Sequence, residues 1–184
     1  MSAVFSRGRG VVARLFGVAL AVLLVASAGA ASDDVHIRFS GRYVPLSCHV
    51  RDASIDVFLP TMSVQSLGSP GDVAGATRFD IPIECEGTPG TVRASFEAGP
   101  YVDASGRLNL LDASPAATPR EVQIELLNAD GSIIRVGDKS TVKAVASTGS
   151  GAVQNLTYFA RYYATGAATP GVVKAYVTYT IDIP

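Results

Sequence analysis

The sequence predicts an all-β protein, a sandwich of antiparallel sheets, on three observations. Apolar side chains recur at every second position in one segment after another, the period of a strand with one buried face. Clusters of Gly, Pro, Asp, Asn and Ser separate these segments, and each of those residue types favours a turn for its own backbone reason. Beyond residue 30 no stretch keeps the apolar period of a helix.

The first thirty residues follow another pattern. Arg7, Arg9 and Arg14 precede an apolar run over residues 15–26, and small residues follow over 27–31. This is the arrangement of a secretory signal peptide. The run is shorter than the roughly 20 residues a bilayer core requires, and it ends in small rather than basic side chains, which argues against a membrane anchor. Removing residues 1–30 leaves 154, enough for one domain with a sizeable core. Three of the fifteen basic residues fall in that stretch and no acidic one does, so twelve face sixteen and the exported chain carries a net charge of −4. A mildly acidic surface argues against nucleic acid as a partner.

Residues 31–40 are a short strand-like segment in which Val35, Ile37 and Phe39 alternate with His36 and Arg38. Nothing downstream encloses it, which makes it a candidate for pairing with another chain. Cys48 and Cys85, the only cysteines, come next. In an oxidising compartment they read as a disulfide, closing a loop of 37 positions worth about 4 kcal/mol in the chain-entropy account. The rival reading is a reactive or metal-binding thiol pair. His36 and His49 are the only histidines, and no short ligand spacing supports a metal.

Further strands are read at Phe79, Ile81 and Ile83, at Val92, Ala94 and Phe96, and at Val122, Ile124 and Leu126. Glu121, Gln123 and Glu125 stand between the last set and read as a solvated face. Turns fall at residues 68–71, 87–90, 103–106 and 128–131, the last reading as a hairpin into residues 132–136. The final strand, residues 173–183, alternates Val173, Ala175, Val177, Tyr179, Ile181 and Ile183 with polar neighbours and Tyr176. Strands at this spacing form a sandwich of two sheets.

Catalytic patterns are absent. There is no Gly-x-Ser-x-Gly elbow, no phosphate-cradling loop and no His-Glu-x-x-His helix, so no enzyme activity, metal or cofactor is expected. Tyr158, Tyr162, Tyr163, Tyr176 and Tyr179 could form a sugar-stacking platform, but at this spacing they fall on both faces of two strands, which favours packing.

Several pieces together resemble the type 1 fimbrial subunits of the chaperone-usher pathway. They are the extension ending at Gly41, with Cys48 seven positions on; Phe79-Asp80-Ile81-Pro82-Ile83-Glu84-Cys85; residues 122–127 followed by Asp130-Gly131; and Phe159-Ala160-Arg161-Tyr162-Tyr163-Ala164-Thr165-Gly166 leading to Ala168-Thr169-Pro170-Gly171. The resemblance covers essentially the whole exported chain. It implies an incomplete immunoglobulin-like β-sandwich (the pilin fold) that lacks its last strand and is completed by a donor strand from another chain.

In such proteins a periplasmic chaperone fills the groove during export, and the next subunit's extension replaces it at the outer-membrane usher. The implied organisation is a signal peptide at 1–30, a donor-strand extension at 31–40 and a pilin domain at 41–184. Val35, Ile37 and Phe39 would be the donor contacts, with Gly171, Val177, Tyr179, Ile181 and Ile183 on the edge that meets chaperone and donor. The implied partners are neighbouring fimbrial subunits, chaperone, usher and, through the assembled fibre, a host receptor, with the fibre at the cell surface supporting adhesion.

Val35 stands where shaft-forming relatives carry glycine, and the extension resembles those of tip-fibre adaptors, which points to a minor or tip-proximal subunit. The stretch 164–171 is closer to shaft subunits. Relatives place an aromatic next to last, where this chain has Ile183, and a glycine fourteenth from the end, where it has Gly171. The alternatives are a directly receptor-binding adhesin and a monomeric secreted binding module.

Overall fold

The alternating segments become strands in a computed structural model that describes residues 38, 40, 46–111 and 119–184. The fold concerned is that of the unit Tyr43–Pro184. Residues 1–30, read as a signal peptide, and Val35, Ile37 and Phe39 lie outside the described residues.

The strands are β1 (Leu46–Val50), β2 (Val73–Gly87), β3 (Gly90–Phe96), β4 (Val122–Asn128), β5 (Ile133–Ile134), β6 (Val145–Ser147), β7 (Ser150–Ala164) and β8 (Tyr179–Asp182). One sheet has the order β1-β2-β7-β4-β5 and the other β6-β3-β8. Every pairing is antiparallel. Among the described residues the only helical elements are single 3-10 turns at Val64–Leu67 and Lys139–Thr141.

Period-two alternation makes the two sheets face each other. Ile81, Ile83 and Cys85 of β2, Ile124 and Leu126 of β4, and Leu156, Tyr158 and Ala160 of β7 share one core with Val92, Ala94 and Phe96 of β3. Tyr158 ties the sheets together. Its hydroxyl accepts the Ala94 N–H at 3.0 Å, and its ring meets that of Phe96 edge-on at 5.2 Å. Burial pushes the Tyr158 phenol above its usual value, so the group stays a neutral acceptor.

The sequence also explains local exceptions. Proline is costly inside a sheet because it lacks an N–H, yet Pro82 lies within β2. Its carbonyl accepts the Arg51 N–H at 3.1 Å, one residue beyond the β1 ladder. The missing donor therefore falls on that same side, where the ladder has already ended. The 128–131 hairpin turn closes with Gly131 N–H to Asn128 O at 2.9 Å, and Gly131 takes φ of 83°, a conformation that favours glycine. Asn128 is itself buried. Its amide donates to Thr141 O at 2.9 Å and its oxygen accepts the Lys143 N–H at 2.9 Å, fastening the turn to the next connection.

One expectation is corrected. Glu125 does not lie on a solvated face: it is 1% exposed. Arg107 Nε reaches its Oε1 at 2.9 Å, and Arg161 donates to Oε2 from Nε at 2.9 Å and from a terminal nitrogen at 2.5 Å. The Arg107 guanidinium also lies 3.6 Å over the Tyr163 ring. A carboxylate taken out of water is tolerable only when paired and hydrogen-bonded, and the two arginines meet that condition. Both faces of β4 are therefore buried.

Candidate functional site

The last strand is only partly a ladder. β8 pairs with β3 from Arg93↔Asp182 to Phe96↔Tyr179. Just past β3, Glu97 N–H bonds Thr178 O at 2.9 Å, and further along a different segment takes over, with Leu111 N–H bonding Lys174 O at 2.7 Å. Residues 173–178 precede the assigned strand, whereas the sequence predicts strand over 173–183. The cause is the length of the neighbour, because β3 ends at Phe96. The alternation nevertheless persists: Val173, Ala175, Val177, Tyr179, Ile181 and Ile183 are half-buried against the core, while Val172, Lys174, Tyr176, Thr178 and Thr180 face solvent. Arg93 anchors the segment through two bonds to Asp182, at 2.9 and 2.7 Å. The Arg93 guanidinium holds the Asp182 carboxyl below its usual range.

A second apolar edge faces this one. Ile55, Val57 and Leu59 are half-buried and pack on the same core, with Asp56, Phe58 and Pro60 exposed between them. The Tyr179 hydroxyl donates to Asp52 O at 3.3 Å. At the other end Leu59 and Val173 line one cleft of about 450 Å³ with Leu67, Val122, Tyr162 and Gly171. Tyr162 donates to Pro60 O at 3.2 Å. Asp52 thus lies by Tyr179 and Leu59 by Val173, so the two edges run in opposite directions along a groove whose floor is the half-buried apolar row of each.

Among the described residues, no backbone bond links residues 52–59 to another strand, and β8 has a ladder on one side only. An unpaired edge beside an apolar row is the feature that strand addition uses in general, where backbone bonds attach and alternate side chains set register. Nothing in this chemistry is catalytic. Among the described residues no three His, Cys, Asp or Glu side chains come together as a metal site.

The structure places Cys48 directly opposite Cys85 across β1 and β2, joined as a disulfide. Val177, Tyr179, Ile181 and Ile183 lie on one edge of the groove, and Gly171 lines its end cleft. Ile55, Val57 and Leu59 escape the sequence reading although they alternate perfectly, because the set is short and runs into Pro60 and Thr61. Tyr158 belongs to the core and not to a sugar platform.

The profile of the type-1 fimbrial protein A family matches residues 59–184, which takes in one residue of the first edge and all of the second. The chain belongs to the type-1 fimbrial family. A fimbrial protein of the same kind, the F17 fimbrial protein of Escherichia coli, is 39% identical over 173 residues, covering 88% of this chain and 94% of the relative. The major fimbrial subunit SMF-1 of Stenotrophomonas maltophilia is 34% identical, covering 87% of this chain and 98% of the relative. Among solved structures, a subunit of a chaperone-usher pilus shares the fold at a TM-score of 0.55 and 18% identity, covering 83% of this chain and 97% of the other. The family is structural and non-enzymatic, and its members assemble with other fimbrial subunits.

Proposed function

We propose that this fimbrial subunit accepts a strand from another chain in its groove and lends residues 31–40 to the groove of the next, so that the fibre grows by exchange of donor strands. The observation that carries this is the match between the half-buried rows of the two edges and the alternation of Val35, Ile37 and Phe39 in the extension. Burying those three side chains contributes about 5–9 kcal/mol as an upper bound, at ~1.5–3 kcal/mol each. The backbone bonds made along both edges add to it.

The same groove would be filled during export by a periplasmic chaperone and emptied at an outer-membrane usher, after cleavage of the signal sequence at 1–30. The fibre would then stand on the cell surface and support adhesion. Val35 at the position where shaft subunits carry glycine supports a minor or tip-proximal place in that fibre.

The test is to change Val35, Ile37 and Phe39 together to Ser and to measure polymer yield from cells that supply chaperone and usher. The reading predicts loss of polymer with the folded subunit still captured by chaperone. Polymer at the normal yield would refute it.

A further inference from the structure

Phe58 is 86% exposed, more than any other large apolar side chain among the described residues. It stands on the first groove edge between Val57 and Leu59, which turn inward. Across the groove Tyr176, 52% exposed, points outward from the second edge, with its ring 5.4 Å from that of Tyr101. Tyr176 therefore has an aromatic neighbour. Among the described residues no ring and no guanidinium lies against Phe58.

A strand lying between the edges with Val35, Ile37 and Phe39 inward must turn Asp34, His36, Arg38 and Ser40 outward. A strand entering antiparallel to 173–183 puts its later residues by Val173 and Leu59, so the end of the outward row that carries Arg38 falls beside Phe58, where side chains on one face of paired strands lie about 4.5–5.5 Å apart when opposite and about 7–8 Å apart on the diagonal. Arg38 is the one side chain of the row that has both the reach and a permanent charge. It is exposed, as is Ser40. The extension is also long enough, since nine or ten residues at ~3.3 Å each span the eleven-residue edge 173–183 nearly end to end.

We propose that Phe58 is an outward latch for the incoming strand, on which Arg38 of the next copy lays its guanidinium. The stem of Arg38 would cover the ring edge while its charge meets the ring face. The same chemistry already occurs in this fold, where the Arg107 guanidinium sits over Tyr163. The latch rests on the strand-exchange reading and adds a contact on the opposite face from the three apolar donors. It would help select which extension a groove retains, because only an extension with a cation in that place completes it.

The test uses polymers of the full exported chain and measures their rate of dissociation in urea for wild type, Phe58→Ser, Phe58→Leu, Arg38→Gln and the Phe58→Ser/Arg38→Gln pair. Each single change should speed dissociation about threefold to tenfold, Phe58→Leu included, since leucine keeps apolar bulk but has no ring. The double variant should be no faster than the faster single one. Unchanged rates in the single variants, or a double effect equal to the product of the two, would overturn the latch. So would a rate change that appears only below about pH 6.5, because that would assign the contact to His36. Failure of the strand reading has a separate signature, normal polymer from the chain with Ser at 35, 37 and 39.

Discussion

Replacing Tyr158 by Phe isolates the bond that joins the two sheets. The hydroxyl is 3.0 Å from the Ala94 nitrogen, and Ala94 is fully buried, so without the hydroxyl the N–H has no water to turn to. Leaving a buried donor unsatisfied costs about 1–3 kcal/mol. The ring remains between Phe79 at 5.9 Å and Phe96 at 5.2 Å, so packing changes little and the cost is mostly that of the orphaned N–H. With a urea slope of about 2 kcal/mol per molar, the midpoint should fall by about 0.5–1.5 M.

Tyr162→Phe is the control, because its hydroxyl bonds to Pro60 O at an exposed site where water can substitute. The assay is equilibrium urea unfolding of the exported chain, followed by circular dichroism. The raised phenol of Tyr158 fixes the sign of a pH effect as well. Its contribution is complete below the unfolded value near 10 and is lost as pH rises through the higher folded value. Wild type should therefore lose more stability than Tyr158→Phe between pH 9 and 12. Equal midpoints for Tyr158→Phe and Tyr162→Phe at neutral pH would refute the inter-sheet bond.

Two other outcomes follow from the same contacts. Glu125→Ala leaves the Arg107 and Arg161 guanidiniums, both mostly buried, without their counter-charge, and should cost about 3–5 kcal/mol by urea unfolding. Glu125→Gln should cost less, because it retains an acceptor for one of them. Asp182 has a folded value below its unfolded one, so its contribution is present above about pH 4 and is lost as pH falls through the folded value. Protection of the β8 amides, taken relative to their intrinsic exchange rate at each pH, should accordingly fall in acid, and Asp182→Asn should show low protection at pH 7 that changes little in acid.

The sheets and turns were legible because period two and turn chemistry are local signals. Ile81, Ile83, Ile124 and Leu126 needed no more than their own neighbours to be placed in a core. Burial of Glu125 was not legible, because the residues that make it tolerable lie 18 and 36 positions away. Local pattern says only that Glu125 alternates with Ile124 and Leu126. The groove was half legible. Its second edge is a long alternating run, whereas Ile55, Val57 and Leu59 become an edge only when the fold sets them beside it. The disulfide needed only the count of two cysteines and an exported chain.

The most direct test compares two versions of the exported chain by urea midpoint and by sedimentation, one lacking residues 31–40 and one carrying those residues after Pro184 through a short flexible linker. A groove that lacks a strand predicts self-association or an early midpoint for the first and a monomer for the second, stabilised by up to about 5–9 kcal/mol. Two monomers with the same late midpoint would contradict the account.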